Sequence, residues 1–311
     1  MNDLERYGSD AALVGQWQRS IAEVVATDEM AANTARTYQI GLRHYLTWCM
    51  EQGWSEATSV RSVRAWVAAL REAGRAPATI NVWLAGVRHF MRWLVEQEII
   101  EVDPTASVKR PASKRKIGHK RDVLTDDEVR RLLRAPDVET AVGLRDSAIL
   151  HLLAYQALRL VEVQRADLAH LRTAQNRLVL DVHGKGRVEA DEFVVLAKDA
   201  VVDAVYAWLN VRGKEPGPLF YSLSNRTHGQ RLSARSLQQI VGGYFADAGV
   251  LGERKTAHSL RHTAITNARR HGAPLRKVQI WARHASIETT MIYDHELERL
   301  ESPAEEFVSY G

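Results

Sequence analysis

The middle of the chain, residues 104–121, lacks the regular spacing of apolar residues that runs through the sequence on either side of it. It holds two prolines and a glycine, which interrupt regular secondary structure, and it carries seven basic residues and no acidic one. A segment of this composition is typical of a connection between domains. The length of 311 residues also suits two domains of ordinary size. We therefore predict an N-terminal domain at residues 1–103, a basic linker, and a C-terminal domain at residues 122–311.

The first domain is predicted to be a bundle of helices. Its apolar residues recur at intervals of three and four, as at Leu42, Tyr45 and Cys49, which places them on one face of a helix. The predicted helices span residues 11–26, 42–49, 55–74 and 80–94.

The second domain is predicted to begin with a helix, because Thr125 and Glu128 form the pattern of a capping box. Two short runs rich in branched residues, 177–182 and 189–196, are typical of strands. We expect residues 183–187, which include two glycines, to join these strands as a hairpin. Helical spacing resumes after the second run. The sequence thus predicts a mainly α protein with a small antiparallel β-sheet.

The sequence also indicates where the protein works. Its single cysteine, Cys49, lies on an apolar stripe, so we expect it in the core and expect no multi-cysteine zinc site. A chain that forms no disulfide of its own suits a reducing compartment. No apolar run reaches the roughly 18 to 20 residues of a membrane span, and residues 1–5 lack the order of a signal peptide. We therefore expect a cytoplasmic protein with no membrane partner.

Charge is spread unevenly along the chain, although the formal net charge is only +4. Residues 254–283 carry eight basic residues and no acidic one, whereas residues 284–311 carry one arginine and seven acidic residues. Concentrated basic segments favour a nucleic-acid partner, because cationic side chains that neutralise phosphates release the counterions bound to them. The charge distribution by itself is also compatible with a solvated linker and an ordinary basic face of a helix, neither of which binds nucleic acid. The linker supplies the candidates for DNA-phosphate contacts: Lys109, Arg110, Lys114, Arg115, Lys116, Lys120 and Arg121.

His258 and Arg261 lie three residues apart, so both project from one face of a predicted helix inside the second basic segment. An arginine binds two phosphate oxygens through parallel hydrogen bonds, and a neighbouring histidine can donate another or transfer a proton. His258 and His262 also have the four-residue spacing of a helical zinc pair. Ser259, however, stands where such a motif needs its glutamate, and no third ligand is evident. We therefore predict no metal site.

A second segment of interest, residues 284–293, holds a histidine, a serine typical of a helix N-terminus, and a tyrosine. At about 100° per residue, Ile287 and Met291 share one helix face, whereas Tyr293 lies roughly 200° from Met291. Tyr293 therefore points away from the apolar stripe. On its own, this fits an exposed tyrosine as well as a functional one.

These residues, with an arginine, a glutamate and a lysine earlier in the domain, resemble the catalytic set of the tyrosine site-specific recombinases, the phage-integrase and Xer family. The residues that match in order and spacing are Arg159, Glu162, Lys185, His258, Arg261, His284 and Tyr293. Residues 257–263 and 284–293 are the most specific stretches. Residues 34–48 resemble the helical core-binding domain of the family, so the resemblance covers both domains. It implies a SAM-like N-terminal bundle and a catalytic domain that together form a C-shaped clamp on DNA.

The resemblance also implies a mechanism. Tyr293 attacks a DNA phosphodiester and forms a 3′-phosphotyrosyl link, which stores the ester energy so that no ATP is needed. Arg159 and Arg261 clamp the phosphate oxygens, which gain negative charge in the transition state. Lys185 protonates the leaving 5′-oxygen as a general acid.

Three further residues complete the expected site. His258 is the better candidate for the base that activates Tyr293, because a phenol ordinarily titrates at about 10. His284 adds a hydrogen bond to the phosphate, and Glu162 orients Arg159. The implied mechanism uses no metal and no cofactor.

The chain departs from the family pattern at two positions. Ala157 and Arg283 stand where the family usually has glycine, before Leu158 and before His284 respectively. An arginine in place of glycine restricts the backbone next to an expected site residue. Residues 184–186 read Gly-Lys-Gly, but the spacing of a phosphate-binding P-loop and its serine or threonine are missing.

The expected partner is double-stranded DNA at specific recombination sites. The resemblance implies a homotetramer on two paired sites, with or without a second recombinase, and strand exchange through a Holliday junction. One alternative is a DNA-binding accessory protein of this fold that does not catalyse, against which the complete catalytic set argues. The other is a type IB topoisomerase, which cuts without site choice. The two-domain size and the core-binding segment favour recombination over relaxation.

The acidic C-terminal tail generates a testable prediction. Pro303, Phe307 and Val308 resemble the terminal segment through which members of the family dock on a neighbouring protomer. Ending the chain after Leu300 should therefore abolish recombination while it spares binding to the DNA site. Gel assays on paired and single sites measure the two activities, and unchanged recombination would refute the docking role.

Overall fold

The computed structural model divides the chain into two compact units, residues 1–115 and 116–311. The residues that it describes are 3–27, 29–54, 56–112, 123–183, 190–252 and 254–291. The division falls inside the predicted linker, of which residues 113–121 lie outside the described residues. Among the helices of the described part, none combines the length and the apolar composition that crossing a membrane requires.

The described residues of the first unit form four helices, as the apolar spacing predicts. These helices are α1 (Asp3–Ala26), α2 (Ala32–Glu51), α3 (Val60–Glu72) and α4 (Pro77–Glu96). Their apolar faces meet in one core, in which Trp17, Tyr45 and Trp66 are fully buried. Cys49 belongs to the same core with 3% of its surface exposed, which confirms its predicted place.

Local chemistry determines where two of these helices begin. Ser59 precedes α3, and its Oγ accepts a hydrogen bond from the N–H of Ser62 at 3.1 Å, which satisfies one of the free amides of the first turn. Pro77 opens α4, where its fixed φ suits a helix and its missing N–H costs no hydrogen bond. The two starts therefore follow from the residues that stand there.

Helices α2 and α4 approach each other closely at two glycines. A Cβ atom added to Gly41 of α2 would overlap the main-chain oxygen of Trp83, and one added to Gly86 of α4 would overlap that of Tyr38. Both obstacles are backbone atoms, which cannot turn aside as a flexible side chain can. The absence of a side chain at Gly41 and Gly86 thus permits the observed separation of the two helices.

Residues 104–112, the first part of the predicted linker, pack against the first unit. Val108 is 5% exposed within the core of that unit, and its carbonyl oxygen accepts a hydrogen bond from Arg88 Nη2 at 2.5 Å. Asn81 Nδ2 donates to the carbonyl oxygen of Pro111 at 3.0 Å. The basic segment therefore begins on the surface of the helical bundle.

The second unit opens with the predicted capping box. Thr125 Oγ1 accepts from the N–H of Glu128 at 3.2 Å, and Glu128 Oε2 accepts from the N–H of Thr125 at 3.0 Å. The described α-helices of this unit are α5 (Asp126–Arg134), α6 (Ala141–Tyr155), α7 (Leu160–Arg165), α8 (Asp199–Arg212), α9 (Ala234–Asp247), α10 (Ala257–Arg270) and α11 (Leu275–Ala282). Helix α6 is buried on most sides, so the main core of the unit forms around it.

A small antiparallel sheet lies between α7 and α8 in the sequence. Its strands are β1 (Leu171–Ala174), β2 (Arg177–Val182) and β3 (Glu192–Val195), hydrogen-bonded in that order. Strand β2 confirms the predicted run, whereas β3 is shorter than the predicted 189–196. Residues 184–189, which contain most of the predicted hairpin, lie outside the described residues. A mainly α protein with a small antiparallel sheet is confirmed.

The sequence does not predict β1. This strand turns into β2 through Gln175 and Asn176, whose φ angles are 47° and 60°. A two-residue turn with both φ angles positive matches the twist of a hairpin, but glycine is the usual residue at its second position. The strand is short and its turn lacks that glycine, so both sequence signals are weak.

Helices α10 and α11 share a small apolar cluster outside the main core. Its most deeply buried members are Ala157, Ile265, Val278 and Ala282. Ala157 comes from the segment between α6 and α7. The cluster therefore brings the start of α7, the body of α10 and the end of α11 together. Five of the predicted site residues lie on or next to these segments: Arg159, Glu162, His258, Arg261 and His284.

The close approach of α2 and α4 generates a stability prediction. Gly41→Ala should lower the free energy of unfolding of the first unit by about 1–3 kcal/mol, because the new methyl group meets backbone and forces the helices apart. Urea unfolding followed by tryptophan fluorescence measures this, since six of the eight tryptophans lie in the first unit. Gly15→Ala is the matched control. Its Cβ meets only Arg19 Nη1 at 3.8 Å, so it should stabilise α1 by roughly 0.5–1 kcal/mol. Equal stability of the two variants would contradict the packing argument.

Candidate active site

Arg159 lies directly before α7 and is held by Glu162, one turn into the helix. The N–H of Arg159 donates to Glu162 Oε2 at 2.7 Å, and its Nη1 donates to Oε1 at 2.8 Å. The Arg159 side chain is 26% exposed, whereas that of Glu162 is 2% exposed. The buried carboxylate thus fixes the guanidinium while part of the arginine still reaches the surface.

Arg261 lies on the inner face of α10 and is 3% exposed. Its Nη1 donates to the carbonyl oxygen of Ala157, and its Nη2 donates to that of Ala282. These two acceptors precede α7 and end α11. Arg261 therefore connects the three segments of the site through its guanidinium.

His284 follows α11 by two residues and is fixed at both its ring and its backbone. Its Nδ1 shares a hydrogen bond with Thr290 Oγ1 at 2.8 Å, and Thr290 is fully buried. The N–H of His284 donates to the carbonyl oxygen of Gln279 at 3.1 Å, and Gln279 Nε2 donates to the carbonyl oxygen of His284 at 3.2 Å. The position of the imidazole is therefore fixed, and one of its two nitrogens, Nδ1, is occupied by the hydrogen bond to Thr290.

The surroundings of His284 keep its imidazole neutral. Burial lowers its pKa to about 4, and the positive charges of Arg261, Arg159, Arg283 and His258 act in the same direction. These four residues come from α10, the start of α7 and the end of α11. Arg159 and Arg261 donate to the carbonyl oxygens of Arg283 and Ala282, directly before His284, so their charges lie next to its ring.

His258 stands at the beginning of α10 and is exposed, unlike Arg261 on the next turn. Its ring meets that of His262 edge to face, with 4.9 Å between the centroids. Among the described residues, no three His, Cys, Asp or Glu side chains are arranged as metal ligands.

The two positions that depart from the family pattern both have a left-handed backbone. Ala157 has a φ of 48° and Arg283 a φ of 54°, the region in which glycine is favoured. Arg283 ends α11, and its N–H binds carbonyl oxygens of that helix. The backbone therefore keeps the turn that glycine would form, and His284 continues directly from it.

Glu162 also binds Arg283, an interaction that the sequence does not predict. Arg283 Nη2 donates to Glu162 Oε2 at 2.7 Å, and its Nε donates to Oε1 at 3.3 Å. Burial by itself would raise the pKa of Glu162, but the charges of Arg283 and Arg159 outweigh it and hold that pKa below its ordinary value. One ionised carboxylate thus pairs with two arginines.

Some predicted site residues are not placed by the structure. Lys185 and Tyr293 lie outside the described residues, as do five of the seven linker residues. The other two, Lys109 and Arg110, are exposed at the edge of the first unit. Arg159, Glu162, His258, Arg261 and His284 are the predicted residues that the structure brings into one region.

Three residues of this region, Arg283, Thr290 and Gln279, were not predicted as site residues from the sequence. The sequence shows that Arg283 stands where the family usually has glycine, but it does not predict that Arg283 contacts Glu162. Thr290 lies six residues after His284 and Gln279 five before it. Gln279 is a polar residue between Val278 and Ile280, whereas Thr290 stands in a mixed segment that gives no signal.

Comparison with known proteins identifies the family. The model of the phage integrase family matches residues 122–299, and that of its N-terminal SAM-like domain matches residues 19–98. A tyrosine recombinase of Synechococcus elongatus is 31% identical over 306 residues, which cover 91% of this chain and 90% of that protein. The chain belongs to the phage integrase family of tyrosine recombinases. These enzymes cleave and rejoin DNA, and so does this one.

Further relatives agree with this assignment. The tyrosine recombinase XerD of Proteus mirabilis is 28% identical, with 86% of this chain and 83% of that protein covered. A structure of the XerH site-specific recombinase bound to a palindromic difH substrate matches with a TM-score of 0.66 and 18% identity, covering 87% of this chain and 80% of that one. A lambda integrase dimer bound to a core site matches with a TM-score of 0.65 and 13% identity, covering 90% and 96%. The two structures establish the fold of this tyrosine recombinase, and the predicted family and fold class are confirmed.

The environment of His284 generates a prediction about pH. Its imidazole should remain neutral at pH 6 and titrate near pH 4 in the folded recombinase. Because this value is below the ordinary 6.5, the folded state binds fewer protons than the unfolded state between the two values, so stability falls as the pH drops through that range. The ¹H–¹³C signal of the ring, assigned with a His284→Gln variant, measures the pKa.

A pair of variants tests the cause. Arg159→Met removes one of the positive charges near His284 and should raise the pKa of the ring. Arg130→Met removes an exposed arginine of α5, which pairs with Asp127, and should leave the pKa unchanged. A His284 signal that titrates near 6.5 in the unmodified protein would contradict the described environment.

Proposed function

We propose that the recombinase binds the scissile phosphate of DNA with Arg159, Arg261 and His284, and that Tyr293 attacks this phosphate. The observation that carries the proposal is the convergence of three separate segments on one positively charged region, in which Arg159 is partly exposed and His284 is neutral. The enzyme then acts as a site-specific recombinase, which exchanges strands between two DNA sites.

The charges of this region suit the transition state of the reaction. When the tyrosine oxygen attacks phosphorus, the phosphate becomes pentacoordinate and its non-bridging oxygens gain negative charge. Guanidinium groups that are already fixed in place stabilise this charge without reorganisation. Arg159 is held by Glu162, and Arg261 is held by two carbonyl oxygens. A neutral His284 can donate a hydrogen bond to the same phosphate without binding it so tightly in the ground state.

One proton leaves the attacking tyrosine oxygen and one proton is added to the leaving 5′-oxygen. Tyr293 loses its phenolic proton to His258 and forms an O–P bond to the 3′-phosphate. The bond from phosphorus to the 5′-oxygen breaks, and Lys185 gives that oxygen a proton. The phosphotyrosyl link preserves the energy of the phosphodiester, so the 5′-hydroxyl of a partner strand can reverse the step. This sequence of steps uses neither a metal nor ATP.

The proposed substrate is double-stranded DNA with specific recombination sites. The basic residues of the predicted linker, from Lys109 to Arg121, would contact phosphates of the duplex. We further propose that four protomers assemble on two paired sites and exchange strands through a Holliday junction, with or without a second recombinase. The acidic tail would connect neighbouring protomers. We expect the recombinase to act on DNA in the cytoplasm.

The covalent link between Tyr293 and DNA is the direct test of this function. Duplexes that bind the full chain are selected from a random pool, nicked beside the candidate cleavage point, and incubated with the protein before denaturing electrophoresis. Wild type should give a protein–DNA band that survives denaturation, and Tyr293→Phe should give none, because phenylalanine has no oxygen to form the ester. EDTA should leave the wild-type band unchanged.

Tyr206→Phe is the matched control, since Tyr206 is an exposed tyrosine of α8 and lies outside the proposed site. It should form the adduct at the wild-type rate. Tight binding without an adduct in any variant would favour a non-catalytic DNA-binding protein. Relaxation of supercoiled DNA without a preferred site would favour a topoisomerase.

A further inference from the structure

Arg283 is buried at the centre of the site although it occupies a position that usually holds glycine. Its side chain is 4% exposed, and its left-handed backbone is unfavourable for a residue with a side chain. Each of its side-chain nitrogens donates to the protein itself. Besides the two bonds to Glu162, Nη1 donates to the carbonyl oxygen of Trp281 at 2.7 Å and Nη2 to that of Ala157 at 3.1 Å. Arg283 is therefore not placed to hold a DNA phosphate.

Arg283 changes the net charge of the group that it forms with Arg159 and Glu162. Arg159 and Glu162 alone form a pair with no net charge, so the carboxylate would offset the attraction of Arg159 for a phosphate. With Arg283 bound to the same carboxylate, the three side chains together carry one positive charge. The pairing is effective because Glu162 and Arg283 are 2% and 4% exposed, and water screens buried charges poorly.

A second carboxylate lies near Arg283 but acts more weakly. Glu192, at the start of β3, has its Oε2 3.8 Å from Arg283 Nε, and its side chain is 39% exposed. That oxygen is itself buried, but at 3.8 Å it is too far from Nε for a hydrogen bond, whereas both oxygens of Glu162 accept hydrogen bonds from Arg283. Glu162 is thus the carboxylate that Arg283 neutralises.

Arg283 also contacts Arg159 through its backbone. Arg159 Nη2 donates to the carbonyl oxygen of Arg283 at 3.1 Å, so the left-handed turn supplies one of the acceptors that fix the Arg159 guanidinium. Side chain and backbone of Arg283 therefore act on the same arginine, one through charge and the other through position.

We propose that Arg283 is a positioning residue which neutralises Glu162, so that the positive charge of Arg159 acts on the scissile phosphate. The inference rests on the proposed role of Arg159 at that phosphate. It assigns Glu162 two partners with different tasks: Arg159, which faces the DNA, and Arg283, which balances the carboxylate from inside.

The test uses phosphates whose charge has been removed. A duplex selected by binding to the full chain is prepared as a series in which one phosphate at a time is a methylphosphonate, which is neutral. The affinity of a Tyr293→Phe protein is measured for each member, so no cleavage is needed. The phosphate bound by Arg159 is the position at which neutralisation weakens binding in this background and no longer does so after Arg159→Met.

At this position Arg283→Met should reduce the preference for the charged phosphate by at least about threefold, because the Arg159–Glu162 pair loses its extra positive charge. Arg283→Lys keeps the charge and should retain most of the preference. Arg283→Gly relieves the backbone but lacks the charge, so it should behave like Arg283→Met. Arg130→Met, the control, removes an arginine paired with the exposed Asp127 and should leave the preference unchanged.

A double variant separates charge from mere structure. Glu162→Gln together with Arg283→Met leaves Arg159 as the charged member of the trio, so the net charge returns to that of the wild type. This protein should regain the preference that Arg283→Met alone loses, and it contains no unpaired buried carboxylate that would hinder folding. A structural role for Arg283 would instead make the double variant as defective as the single one, or more so.

The outcomes distinguish the inference from the proposed function. If the preference for a charged phosphate at one position requires Arg159 but not Arg283, the inference is overturned and the proposed function is not. If the preference for a charged phosphate requires Arg159 at no position of the duplex, both the proposed role of Arg159 and the inference are overturned. Failure of the wild type to form a phosphotyrosyl adduct would count against the proposed cleavage, while the binding series still decides whether Arg283 acts through charge.

Discussion

The candidate site depends on one buried carboxylate. A charge removed from water must be paired, and Glu162 is paired with the guanidinium groups of Arg159 and Arg283 at distances of 2.7 to 3.3 Å. The two arginines belong to segments 124 residues apart in the chain. By satisfying the same carboxylate they hold the start of α7 against the end of α11, and this contact orients the arginine that reaches the surface.

Backbone carbonyl groups complete this arrangement. The turns at Ala157 and Arg283 both have left-handed residues, and the carbonyl oxygens in and beside these turns accept hydrogen bonds from the three arginines. A left-handed residue without glycine costs free energy, which the surrounding bonds must offset. The cost falls on the two turns that bring α10, α7 and His284 together. The strain therefore lies at the positions that shape the site.

Much of the fold could be predicted because it follows from local patterns. The four helices of the first unit show the spacing of a buried face, and Thr125 and Glu128 form their predicted capping box. Strand β1 could not be predicted, because it is four residues long and turns through Gln175 and Asn176 without a glycine. The packing of Val108 on the bundle could not be predicted either, because Val108 has no large aliphatic or aromatic neighbours at helical or strand spacing within the basic segment.

The sequence by itself determined the class of fold, the family and the types of residue that the chemistry requires, because order and spacing along the chain carry this information. The tertiary structure decided which of those residues meet and what else joins them. It placed Arg283 on Glu162 and Thr290 on His284, and it placed the carbonyl oxygen of Ala157 on Arg261. Most of these contacts join residues distant in sequence, where local periodicity gives no signal. A buried charge takes the partner that folding brings to it, and only the folded chain shows which partner that is.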